Sequence, residues 1–263
     1  MAARMARSSP ITWNVLKTLT FSDGPDVDRT VWQSPQWSAS YNPSFLGRTA
    51  IRNTPDYGSP LGCVPVIGGA AQLYLSTYNP KDPQNQSFLG AQIGTIEQWG
   101  LASYPNGVAF EAVVLFPPSI PAGAVTSLFA YNLLSQSADT RDEIDFEFAS
   151  GWWSGSSETV NTNDYVASSS GIDREIPSSV DLLQTTTFRI EWTQAGINWY
   201  INGGSSIRTE TSVPQSDMSL TLNFWVPSST WPWAYNAAIQ PSGSPGTQWL
   251  YQVYSATIYT ASS

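Results

Sequence analysis

The chain has 263 residues, a formal net charge of −9, one cysteine and no histidine. The missing histidine removes Ser-His-Asp and Cys-His chemistry and the commonest zinc ligand. The acidic balance lacks the basic footprint that holds phosphate backbones, which argues against nucleic acid as a partner. Any catalysis must then run on carboxylates, hydroxyls or lysine.

Taken from the N-terminus, residues 1–10 contain two arginines and no apolar run of the signal-peptide kind. They read as a disordered or cloning-derived tail, and residues 11–263 as one catalytic β-sandwich domain. Cys63 has no partner for an intrachain disulfide and reads as a buried, inert thiol. Asn85-Gln86-Ser87 fits the glycosylation sequon, a short match that chance alone produces often. Strand-like runs with turn residues between them follow one another: Ala71–Thr77, Gly107–Phe116, Val125–Asn132, Glu143–Phe148, Thr187–Trp192, Asn198–Asn202, Ser219–Val226 and Tyr251–Thr260. Phe188–Trp192 and Asn198–Asn202 read as an antiparallel hairpin, and Asn202-Gly203-Gly204 as the turn that follows it. Val180–Thr185 is the one place where a turn or two of helix is expected. Ser34–Gly62 and Trp225–Gln248 are too long for simple hairpin turns, and long loops in compact domains are often functional.

Many strands and almost no helix favour two antiparallel sheets packed face to face. No stretch approaches eighteen apolar residues, so no membrane-spanning helix is expected. Charged residues are only 12% of the chain, against roughly 25% in typical soluble domains. The surface must therefore be wetted by neutral hydrogen-bonding groups, as suits a secreted protein whose signal is not in this sequence. A monomer is expected.

The densest chemical signal is Arg141-Asp142-Glu143-Ile144-Asp145-Phe146-Glu147-Phe148. Alternation along a strand puts Glu143, Asp145 and Glu147 on one face and Ile144, Phe146 and Phe148 on the other. The aromatic face belongs in the core, which leaves the three carboxylates together on the opposite side, neighbours roughly 6–7 Å apart. Three readings of that face are open: a solvated outer surface, a cation site, and glycoside hydrolysis. Ligands on one straight strand surround an ion poorly, and a merely structural face avoids a row of like charges. A retaining glycosidase needs two carboxyl groups about 5–5.5 Å apart, whereas the α-carbons of Glu143 and Glu147 lie roughly 13 Å apart on a straight strand. The strand must therefore bend, with its acids leaning together over a curved sheet. Asp145, between them, can push the two glutamates apart in acidity.

Asp142–Phe148 resembles the catalytic strand of glycoside hydrolase family 16, in the form without an extra bulge residue found in lichenases and xyloglucan endotransglycosylases. Tyr104–Glu111, Asn161–Tyr165, Trp199–Gly203 and Leu222–Trp225 resemble other parts of that family in order and spacing, so the resemblance spans roughly Gly90 to Tyr259. It implies a concanavalin-type jelly-roll β-sandwich with a concave substrate cleft. It also implies Glu143 as nucleophile, Asp145 as its helper and Glu147 as general acid/base. No cofactor is required by that chemistry; a structural calcium ion, known in parts of the family, is allowed without a placed site. Two departures concern substrate: Val113 stands where lichenase relatives often carry Arg, and Arg141 where they tend to carry Trp. Trp152 and Trp153 fall in a loop with no match.

Sugar rings present apolar faces rimmed by hydroxyls, so their sites pair flat aromatics with amides and carboxylates. Asn163 with Tyr165, and Asn223 with Trp225, each place an amide and a ring on one strand face. Trp231 and Trp233 flank Pro232 beside a polar loop. With Glu111 and Tyr131 these are the candidate substrate-binding residues, whereas Trp13, Trp32, Trp192 and Trp199 read as core. The expected function is a retaining endo-β-glucanase acting on β-1,3- or mixed-linkage β-1,3/1,4-glucan. A transglycosylase on β-glucan or xyloglucan, and a non-catalytic carbohydrate-binding module, are the alternatives.

Overall fold

The structure is a computed structural model that describes residues 11–34, 48–52, 64–82, 87–135, 140–152, 158–167, 169–170 and 174–262. Cys63, Trp153 and Asn85-Gln86 lie outside the described residues. The strands, in chain order, are β1 (Trp13–Thr20), β2 (Trp32–Gln33), β3 (Thr49–Arg52), β4 (Val66–Ile67), β5 (Ala70–Ser76), β6 (Phe88–Thr95), β7 (Trp99–Gly100), β8 (Val108–Leu115) and β9 (Val125–Ser135). There follow β10 (Thr140–Ala149), β11 (Glu158–Val166), β12 (Ser169–Ser170), β13 (Arg174–Ser178), β14 (Thr186–Thr193), β15 (Gly196–Ile201), β16 (Arg208–Glu210), β17 (Asp217–Trp225) and β18 (Gln248–Ala261). A 3-10 turn, Ser150–Trp152, follows the acidic strand. Residues 181–184 form a turn closed by Gln184 N–H donating to the Asp181 carbonyl. The Asp181 carboxylate accepts from Leu183 N–H there, competing with helix, which replaces the helical expectation for Val180–Thr185.

Pairing builds two layers from one curled sheet. The front layer runs β13–β11–β10–β9–β17–β6 in antiparallel order. β2 and β3 lie against β6, the latter in parallel. The back layer runs β1–β18–β8–β14–β15–β16, and β5 continues it along the first half of β18. A single bridge, Ser76 to Leu89, joins β5 to β6 and turns one layer into the other.

The space between the layers is filled by the apolar halves of alternating strands. Ile144, Phe146 and Phe148 of β10 are fully buried there, as the period-two pattern predicts. Phe148 meets Phe188 of β14 with ring centroids 4.6 Å apart and Phe116 at 4.9 Å, while Phe116 meets Tyr251 of β18 at 5.4 Å with the rings tilted. Each such ring contributes roughly 1.5–3 kcal/mol by leaving water. Trp32, Trp192 and Trp199 are core, as expected, but Trp13 sits half-buried on edge strand β1, with the Arg189 guanidinium 5.5 Å from its ring. After β15 the chain turns through Asn202 and Gly203, both at positive φ, with Gly204 N–H donating to the Ile201 carbonyl. That geometry is cheap only for Asn and Gly. The fold is thus the all-β, two-layer antiparallel sandwich expected from the sequence.

Candidate active site

β10 is an interior strand of the front layer, flanked by β9 and β11. Because side chains directly opposite in a ladder share a face, the register draws the outer floor as transverse rows. One row reads Asn161, Glu147, Ser127, Asn223, Gln92 across β11, β10, β9, β17 and β6. The next reads Asn163, Asp145, Phe129, Thr221, Gly94, and the third Tyr165, Glu143, Tyr131, Ser219. Glu143, Asp145, Glu147, Tyr131, Asn163, Tyr165 and Asn223 are therefore brought together on one surface.

Within this floor each carboxylate has distinct company. Arg141 donates from Nε to Glu143 Oε2 at 2.6 Å, and its guanidinium stacks 4.2 Å from the centre of the Tyr165 ring. The Glu143 side chain is 17% exposed, reachable but largely desolvated. Asp145 is 4% exposed, enclosed between its two partners. Asn161 Nδ2 donates to Glu147 Oε2 at 3.0 Å. Asn223 Nδ2 lies 3.4 Å from Gln92 Oε1, a long contact. The Oδ1 atoms of Asn161 and Asn223 are buried and have no hydrogen-bond partner among the described residues. Buried acceptors of this kind cost stability unless something donates to them. Both lie in one row with Glu147.

The floor is walled on one side by a second apolar cluster: Ile51, Val125, Ala149, Trp225 and Ala234, with Trp231 and Trp233 packed against it. Trp225 does share the face of Asn223, but it is only 2% exposed. Trp231 stacks on it, centroids 5.0 Å apart and planes within 13°, and Trp233 meets Trp231 edge-on at 4.4 Å. Trp231 and Trp233, each half-buried, bring the outer rings of this wall, and Trp225 supports them from beneath. Arg48 fastens the same loop, donating to the Ile239 carbonyl and lying 5.2 Å from the Phe88 ring and 5.1 Å from the Tyr235 ring.

Glu111 does not join the site. It lies on β8 in the back layer, opposite Arg189 and Thr257, and faces outward on the far side of the molecule. There it accepts from Tyr259 Oη at 2.9 Å and pairs with Arg189 at 3.4 Å, in a network that includes Glu191. The expectation that it contacts substrate is corrected by this placement: alternation fixes Phe110 in the core and so turns Glu111 away from the front layer.

Sequence reasoning missed Asn161, Ser127, Gln92 and the role of Arg141. Asn161 was legible, since it stands two residues from Asn163 on the same face. Ser127 and Gln92 carry no local signal and emerge only from register. Among the described residues no group of three or more Asp, Glu, His or Cys side chains gathers as a metal site. They therefore offer no carboxylate cage for the calcium ion that the resemblance allows.

Behind the acidic strand, Trp199 Nε1 donates 2.9 Å to the Asp145 carbonyl oxygen. Arg208 of β16 reaches across to β11, donating to the Thr162 carbonyl at 2.6 Å and to Asp164 at 3.2 Å. Burial pushes the Asp164 carboxyl up to about 6, with Arg208 opposing the shift and Glu210 adding to it.

No curated protein matches the sequence. Solved structures resemble it along most of its length. The β-glucanase of Bacillus licheniformis aligns with a TM-score of 0.64 at 20% identity, covering 97% of this chain and 99% of that one. The endo-1,3-β-glucanase (laminarinase) catalytic domain of Thermotoga petrophila gives 0.67 at 17%, covering 97% and 100%. A Mycobacterium tuberculosis protein described as an immunostimulatory antigen and pseudo β-1,3-glucanase gives 0.66 at 14%, covering 94% and 99%. At such identities the likeness carries the fold, the jelly-roll sandwich that the acidic motif implied. The model of glycosyl hydrolases family 16 matches residues 110–247, more than half of the chain and inclusive of the acidic strand and the tryptophan loop. This chain belongs to glycosyl hydrolases family 16.

Proposed function

We propose that this protein is a retaining endo-β-glucanase that cleaves β-1,3- or mixed-linkage β-1,3/1,4-glucan, outside the cell as its low share of charged residues suits. The observation that carries this reading is the placement of Glu143, Asp145 and Glu147 on one face of an interior strand, in a floor of amides and rings walled by tryptophan. The glucan assignment draws on the substrates named for the Bacillus and Thermotoga structures and on the family match.

The steps follow from the company each carboxylate keeps. Glu143, ion-paired to Arg141 and reachable from the cleft, is the nucleophile. It attacks the anomeric carbon while Glu147 gives its proton to the departing glycosidic oxygen, so the C–O bond breaks and a glycosyl ester on Glu143 forms. Glu147, now a carboxylate, takes a proton from water. The hydroxide oxygen bonds to the anomeric carbon, and Glu143 leaves as carboxylate. Asn161 orients Glu147 from the adjacent strand through its side-chain amide. The Trp231 ring packs on an apolar sugar face.

The test is hydrolysis of barley mixed-linkage glucan, laminarin, xyloglucan and agarose by wild type and Glu143→Ala, with products followed by mass. Cleavage of one of the two β-glucans, lost by several orders of magnitude in the variant, supports the reading. Elongated products move it to transglycosylation, and binding without turnover moves it to a carbohydrate-binding module.

A further inference from the structure

The back layer touches the acidic strand at a backbone atom of the triplet itself. Trp199 is fully buried on β15, and its indole N–H donates to the carbonyl oxygen of Asp145, the residue midway between Glu143 and Glu147. In a regular ladder a carbonyl points sideways to a neighbouring strand, within the sheet. A donor that reaches it from the opposite layer holds the strand at that residue from behind.

Trp199 is itself held. The Arg208 guanidinium lies 4.8 Å from its ring centre, and both of that guanidinium's terminal nitrogens are engaged. One donates to the carbonyl and hydroxyl oxygens of Thr162; the other donates to Asp164 and Glu210, each at 3.2 Å. Thr162 and Asp164 lie on β11 directly opposite Phe146 and Ile144 of the acidic strand. They flank Asn163, which stands beside Asp145 on the outer face. Arg208 therefore ties the edge of the back layer to the strand that borders the triplet. A sandwich built only for stability gains little from this arrangement, because a buried ion pair is often no better than well-packed apolar groups.

We infer that Trp199, Arg208 and Asp164 are positioning residues: a brace behind the acidic strand that fixes its course at Asp145 and so sets how closely the carboxyl groups of Glu143 and Glu147 approach. The inference rests on the reading of those two glutamates as the reacting pair. Four residues of straight strand separate them by roughly 13 Å, whereas a double displacement needs carboxyl groups about 5–5.5 Å apart. The course of the backbone between them is thus what the chemistry depends on.

A matched pair of variants separates positioning from packing. Trp199→Phe removes the N–H that reaches Asp145. Trp192→Phe, in the same core and equally buried, removes an indole N–H that has no hydrogen-bond partner among the described residues. Melting temperature, kcat, KM and amide hydrogen exchange at residues 143–147 are measured for both in the full chain. Both variants lose ring volume, and Trp199→Phe is expected to lose more melting temperature because it also breaks a formed hydrogen bond, so kcat is compared well below both transitions. For Trp199→Phe alone the brace predicts kcat lower by about 10-fold or more, KM within about twofold, and faster exchange at 143–147. Equal kcat and equal exchange in the two variants overturn it. Should Trp199→Phe not fold, Arg208→Lys takes its place, with the same direction expected in kcat and exchange. If the wild type hydrolyses no glucan, the functional reading fails by that result, and the exchange comparison alone then supports or overturns the brace.

Discussion

Asn161 stands directly opposite Glu147 on the neighbouring strand, and its side-chain amide donates to the Glu147 carboxyl at 3.0 Å. A neutral donor in this position orients the carboxyl without adding charge beside it. Asn161→Asp replaces that donor with a carboxylate. A like charge disfavours ionisation of its neighbour, so the alkaline limb of the kcat/KM profile, which follows the general acid, moves to higher pH. Activity at neutral pH falls by about 10-fold or more as orientation is lost. A pH–rate profile with an unmoved alkaline limb contradicts the assignment of Glu147.

Glu111 gives the complementary test. It belongs to a partly exposed network with Arg189, Glu191 and Tyr259 on the back layer. Exposed and half-exposed ion pairs of this kind are worth about 0–1 kcal/mol. Glu111→Gln is expected to leave kcat and KM within about twofold of wild type and to lower the melting temperature slightly. A KM raised tenfold on glucan would return Glu111 to the substrate.

Asp164 predicts a pH-dependent stability. Its folded carboxyl is pushed up to about 6 by burial, above the ordinary value of 3.8. The folded state therefore holds a proton that the unfolded chain has released between those values. Its contribution is fully present below about pH 4 and is lost as pH rises through about 6, an effect of at most roughly 3 kcal/mol. Asp164→Asn removes the titration, so its melting temperature relative to wild type rises between pH 4 and pH 7. A relative melting temperature that falls over the same interval means that the ion pair with Arg208 outweighs burial.

Tyr251 is fully buried between Phe116 and Phe224, and its hydroxyl has no hydrogen-bond partner among the described residues. An unsatisfied buried hydroxyl costs about 1–3 kcal/mol. Tyr251→Phe is expected to be neutral or to stabilise by about 1 kcal/mol, read by urea unfolding. A loss of 2 kcal/mol or more contradicts this.

How far the sequence disclosed the fold depended on which faces a strand buries. All eight runs read as strands are strands, because each alternates between core and surface or is uniformly apolar. β1 escaped because five of its eight residues are exposed, as befits an edge. β6 escaped because Gly90, Gln92 and Gly94 interrupt its apolar pattern. Gly90 is small by necessity, since a Cβ there would lie 2.5 Å from the Phe224 carbonyl oxygen. In the site, the triplet was legible from period two alone. Glu111 misled because a motif resemblance says nothing of which layer a side chain faces. The stacking of Trp231 on Trp225, and the reach of Trp199 to Asp145, join residues 6 and 54 positions apart, and no local pattern announces such contacts.

The double displacement proposed for Glu143 and Glu147 on a β-glucan leaves its mark on the anomer first released. Proton NMR of the first products from barley mixed-linkage glucan and laminarin tests it most directly, with wild type and Glu143→Ala side by side. Double displacement predicts that wild type cleaves at least one polymer, that the new reducing ends appear first as the β-anomer, and that the variant loses activity by several orders of magnitude. An α-anomer first, or equal activity in the variant, would contradict it.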